Sequence, residues 1–153
     1  MPPRDERAGF PDAAARLRRD RERIGRRALE IAVDRDPGFR ERHDELALRK
    51  LLRDTEIFID RLALSIASND PSPMSEFADQ VVPVYRRRQV SMDDLIKLDE
   101  GLRSAAAAHL SDDEVMSLDA AIDAANKTFK WHRRIAGDAR KRNRLLQAIY
   151  KGA

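Results

Sequence analysis

The chain contains three histidines, His43, His109 and His132. Imidazole ligates metals and haem and exchanges protons near neutral pH, so these positions are weighed first. Each falls on a different predicted helix. No His-x-x-x-His or Glu-x-x-His pair occurs that would aim two ligands at one ion. His43 lies among Arg40, Glu41, Arg42, Asp44 and Glu45 and reads as solvated. His109 falls at a helix end, where an imidazolium interacts favourably with the helix dipole. His132 is the sharper candidate because it stands on an apolar seam beside Phe129 and Trp131. His132 and His109 are therefore the positions for a haem or other tetrapyrrole. A seam histidine is more often a satisfied core or interface group, however, so the expectation is no cofactor and no metal site.

Other catalytic constellations are missing. There is no cysteine, which excludes disulfides, thiolate zinc sites and cysteine nucleophiles. The serines read as caps or surface residues rather than as a strand-turn-helix nucleophile elbow. The six glycines are scattered and make no phosphate loop. Acidic pairs such as Asp93-Asp94 and Asp112-Asp113 stand at predicted helix starts, where carboxylates stabilise the dipole. The expectation is that the protein is not an enzyme.

Charge points to a second function class. Lys and Arg total 30 against 27 Asp and Glu, so the surplus is small, but arginines crowd residues 16–27 and 133–144. The second cluster, near the end of a long helix, suggests a basic region gripping phosphates. Against this, it interrupts the apolar seam rather than preceding it, and the early arginines alternate with Asp20, Glu22 and Glu30 as a solvated face does. Nucleic-acid binding is the alternative reading. No apolar run approaches the ~20 residues that span a bilayer, no signal core opens the chain, and cysteine-free composition suits the cytoplasm.

The elements that position these residues are helices. Apolar residues recur at threes and fours, strand formers are few, and Ala, Leu, Arg and Glu dominate. Residues 1–11, with three prolines and a glycine, predict a disordered tail. A single helical domain covers 12–153. Asp12 is the expected cap of a first helix reaching Asp34, stopped by Asp36-Pro37-Gly38. A second helix is predicted over 39–68, and a third from Ser72 or Pro73, kinked or broken at Pro83. Ser91 caps the next helix. Ser111-x-x-Glu114 is a capping box that opens the last one.

That last helix meets no stop before Lys151, which makes it ~60 Å long. Its seam includes Ile122, Phe129, Ala136, Asn143, Leu146 and Tyr150, and it predicts a homodimer with Asn143 fixing register. A bend is expected at Gly137 if the helix is not continuous. Phe58, Phe77, Tyr85, Phe129 and Trp131 are the candidate lining of a ligand pocket, with plain core as their simpler role.

Residues 85–96, YRRRQVSMDDLI, resemble the basic helix end, turn and helix restart found in N-terminal domains of stressosome co-antagonist proteins of the RsbR and RsbRD types. Related helical input domains occur in PucR-type transcription factors. Gln89 departs from that pattern, which commonly has glycine there. Residues 51–60 and the terminal helix fit the same layout. The resemblance implies a globin-like helical sensor, usually dimeric and often without haem, whose last helix relays binding of a small molecule or a regulatory protein to an output region. No output domain follows Ala153, so the chain is either free-standing or part of a longer protein.

Overall fold

The computed structural model describes residues 8–151, with side chains through residue 136. Among the described residues there are seven helices and no strand. These are α1 (Pro11–Arg19), α2 (Arg21–Arg35), α3 (Gly38–Arg42), α4 (Glu45–Ser68), α5 (Ser72–Arg87), α6 (Met92–Ala107) and α7 (Asp112–Lys151). The all-α expectation holds, and the last helix, whose continuity through Gly137 the sequence leaves open, runs through it to Lys151.

The N-terminal expectations need correction. Asp12 is not the cap: Phe10 precedes the helix, and Pro11 takes its first position, where the missing amide costs nothing. Phe10 N–H donates to Ile66 O at 3.0 Å, and its ring packs against the core. Gly9 lies so close to Ala67 that a Cβ would meet the Ala67 carbonyl oxygen at 1.7 Å. Residues 8–11 are thus held against the end of α4, while residues 1–7 of the expected tail lie outside the described residues.

The expected helix over 12–34 is divided at Asp20, whose ψ of 16° departs from helical geometry. The division lets two apolar faces find different neighbours. Ala13, Ala14 and Leu17 are buried from α1, which packs on α4; Ile24, Ala28 and Ala32 are buried from α2, which packs on α6 and α4. The expected helix over 39–68 is divided as well. Asp44 Oδ1 accepts from Ala47 N–H at 2.8 Å, a side-chain cap that starts α4 and ends α3 before His43.

α4 is the central element, in contact with α1, α2, α5 and α7. Leu51, Phe58, Ile59, Leu62 and Ile66 are all buried on it. Pro83 does not break α5, which runs on to Arg87. The proline lies on the exposed side of the helix, where a carbonyl left without its amide donor is open to solvent rather than buried.

α5 ends in a left-handed turn. Val90 N–H donates to Tyr85 O at 2.9 Å, Gln89 N–H donates to Arg86 O at 3.1 Å, and Gln89 has φ of 60°. This is the helix end at which glycine is favoured, because a Cβ is strained there. Gln89→Gly is expected to stabilise the fold by about 0.5–1 kcal/mol, read as a higher urea midpoint with unchanged slope.

Candidate functional site

Where the chain could act is decided by what seats α6 and α7. Ser91 Oγ accepts from Asp94 N–H at 3.1 Å, so α6 starts where the sequence places it. Asp94 then collects donors from α3 and its flank: Arg42 Nη2 reaches Oδ1 at 2.7 Å and Nε reaches Oδ2 at 3.2 Å, with His43 Nε2 also at Oδ2, 2.7 Å away. Arg42 also reaches Asp36 Oδ2 at 2.5 Å, to which Lys97 Nζ donates at 2.7 Å. Burial pushes the Asp94 carboxyl up, but the Arg42 and His43 hydrogen bonds outweigh it and hold the group below the usual range. His43 is therefore not the solvated residue its neighbours suggested. It is buried, with its ring 4.9 Å from Phe39. The cap at Asp44 turns the preceding residue inward, a signal present in the sequence but read there as mid-helix.

α7 is tied to its neighbours by discrete polar contacts. Arg103 of α6 donates to Asp119 at 2.8 Å and Asp123 at 2.5 Å, as well as to Glu100 on its own helix. Asn126 Nδ2 donates to Glu100 Oε1 at 3.0 Å. Further along, Arg133 pairs with Asp93, His132 Nε2 meets Asp79 Oδ1 at 2.7 Å, and Arg86 Nη2 donates to His132 O at 3.2 Å. The capping box forms as well: Ser111 N–H donates to Glu114 Oε1 at 2.9 Å, and Glu114 also engages Arg16.

Between these ties lies a buried carboxyl with no partner. Asp99 of α6 is 0 % exposed, and neither carboxylate oxygen has a hydrogen-bond partner. Burial pushes its pKa well above the ordinary value, Glu100 adds to the rise, and Arg103 opposes it. Tyr85 is likewise raised, first by its own burial and then by the charge of Asp54, which Arg88 holds at 2.7 Å. The apolar spacing of α6 did not disclose Asp99, which falls beside Leu98 on the buried side.

The five aromatics proposed as a pocket do not form one. Phe58 meets Phe77 edge-on at 5.2 Å and Tyr85 at 6.2 Å, and Phe129 is buried in the same core. Their rings fill space. Trp131 lies apart, 55 % exposed, against His132. The proposed dimer seam divides similarly. Ile122 and Phe129 are buried in the chain's own core and cannot face a second copy. Ala136 is half-buried in a groove with Val90 and Arg133. The side chains of Asn143, Leu146 and Tyr150 lie outside the described residues.

The two histidines proposed for a cofactor are not brought together. His109 precedes α7 and faces Asp20 at 3.5 Å, whereas His132 is held by Asp79 some 20 residues along that helix, about 30 Å away. Among the described residues, no group of three or more His, Asp or Glu could hold a metal ion, and no helix is long and apolar enough to cross a membrane. No family model matches the chain, and no curated protein matches it.

Proposed function

We propose that this chain is a non-enzymatic regulatory domain that forms a homodimer through the distal half of α7 and relays ligand or partner binding along that helix. One observation carries the reading: α7 changes environment part-way along. Up to Phe129 its apolar residues Leu118, Ile122 and Ala125 are buried in the bundle. From Trp131 onward large apolar groups emerge, with Ile135 42 % exposed, while the helix continues to Lys151. The 24 residues of α4 span ~36 Å and the 40 of α7 ~60 Å, so α7 outruns the bundle's central helix by several turns.

The sequence keeps a three-four apolar spacing beyond that point, at Ala139, Asn143, Leu146 and Tyr150. Such a stripe is stabilised by a facing helix, and a single polar residue on it sets register. The resemblance of residues 85–96 to stressosome co-antagonist and PucR-like input domains favours the same reading, including a globin-like arrangement of the bundle. The polar ties from α5 and α6 onto α7 are the contacts that a rearrangement would exchange.

Light scattering tests this directly. The full chain is expected at twice its 17.5 kDa mass, and a chain ending at Ala136 at monomer mass with its helical circular dichroism and cooperative melting retained. Equal, monomeric masses for both would remove the reading.

A further inference from the structure

α2 and α6 run against each other most closely where Gly101 meets Ala28. A Cβ on Gly101 would lie 2.3 Å from the Ala28 carbonyl oxygen, so the two backbones touch there. Past this contact the side of α6 and its C-cap that faces α2 carries the small side chains of Ser104, Ala105 and Ala108, and the space that larger residues would fill stays open. The result is a trough of about 680 Å³, a size that suits a small ligand.

Its apolar surface comes chiefly from Ile31 of α2 and Ala108 just past α6, above the buried Ile24 and Ala105. Its polar rim is basic. Arg23, Arg27, Arg35 and His109 line it against one acid, Asp34. Arg35 Nη2 reaches from α2 to α6 to donate to Ser104 Oγ at 3.0 Å, and His109 faces Asp20. Arg27 shares only a long, exposed contact with Glu30 at 3.4 Å. Arg23 has no carboxylate within ion-pair distance among the described residues. The adjoining hollow is lined by Arg18, Arg19, Arg21 and Arg26 together with Asp20 and Glu22, which leaves it a basic surplus.

We propose that this trough is a binding site for a small apolar anion, a carboxylate carried on an aliphatic or aromatic body. The body covers Ile31 and Ala108, and the carboxylate is held by the Arg23 and Arg27 guanidiniums, which can each offer two parallel donors. A phosphate backbone would need the arginines but not the apolar floor, and this favours the small amphipathic ligand over nucleic acid. The site depends on α2 and α6 alone and stands whether or not α7 pairs.

The test is calorimetric titration of the full chain with dodecanoate below its micellar concentration, beside dodecyltrimethylammonium and acetate. Dodecanoate is expected to saturate one site per chain, with no comparable binding of the equal-length cation or of the headless anion. Ala108→Trp fills the trough while leaving its charge intact, and it should abolish binding. The double variant Arg23→Glu, Arg27→Glu should weaken binding by at least about tenfold. All three positions are exposed, and unchanged melting of each variant shows that its fold is intact. Absence of dodecanoate binding, equal binding of the cation, or wild-type affinity in Ala108→Trp overturns the site. So would salt-sensitive oligonucleotide binding that persists in Ala108→Trp while dodecanoate is ignored.

Discussion

Phe129→Ala is expected to cost about 3–5 kcal/mol of folding stability, the usual range for truncating a fully buried aromatic, and to cost it at every protein concentration. The ring is 1 % exposed and belongs to the core that also holds Phe58, Leu62 and Ile122. Its neighbours are anchored on α4 and α5, so they cannot collapse to refill the space, and a cavity remains. A residue of a dimer seam behaves differently. Removing it weakens association, so the loss of stability is absent where both chains are monomeric and grows as protein concentration rises. Urea unfolding of Phe129→Ala at two concentrations a hundredfold apart separates these cases. A midpoint shift that depends on concentration would place Phe129 at an interface and contradict its assignment to the monomer core.

Asp99→Asn is expected to match the parent near pH 4 and to be more stable by about 1–3 kcal/mol near pH 8, the cost of holding in the fold a proton that the unfolded chain has already released. The sign follows from the raised native pKa. Below the unfolded value near 4 the carboxyl is neutral in both states and exacts no charge penalty. As pH rises, the unfolded chain gives up the proton before the folded chain does, and stability is lost until the folded pKa is passed. Asparagine has the same shape and cannot ionise, so this slope should vanish. Asp94 acts in the opposite direction. Its carboxyl is held low by Arg42 and His43, and its contribution is present above pH ~4 and lost as pH falls. Chemical unfolding at pH 2, 4, 6 and 8 reads both, Asp94 at the acid end and Asp99 above pH 4. Equal pH slopes for parent and variant would mean that Asp99 releases its proton in the folded chain as readily as in the unfolded one, and would contradict the raised pKa.

Much of the architecture was legible because helix signals are local. The Ser91 cap, the Ser111–Glu114 box and the unbroken period of α7 each depend on residues within a few positions of one another, and all three appear as expected. The breaks at Asp20 and His43 were not legible. Both interrupt sequences with adequate helix propensity, and both exist so that short segments can reach different neighbours, which is a tertiary requirement. Asp44 did carry a cap signal, but a competing one lay earlier, at the Asp36-Pro37-Gly38 stop. Gln89 is the reverse case. The position was marked by resemblance as one that favours glycine, and its φ of 60° supplies the physical reason.

The candidate site was read less well, because periodicity identifies a buried face without saying what covers it. Ile122, Phe129 and Asn143 share one seam in the sequence, yet the first two are covered by α4, α5 and α6. Asp99 and the α2–α6 trough could not be inferred from spacing. The former is a charge placed among leucines, and the latter arises from small residues whose effect depends on how closely two distant helices approach.

The division of α7 between its own bundle and a second copy is the claim on which the regulatory reading rests. Because the chain lacks cysteine, it can be tested by introducing one thiol at a time and oxidising mildly. Asn143→Cys or Leu146→Cys is expected to yield a disulfide-linked dimer rapidly and at low concentration. Met116→Cys, at a position 72 % exposed on the bundle half of the same helix, should yield little. Cross-linking at Met116→Cys equal to that at both distal positions, or none at the distal positions, would contradict it.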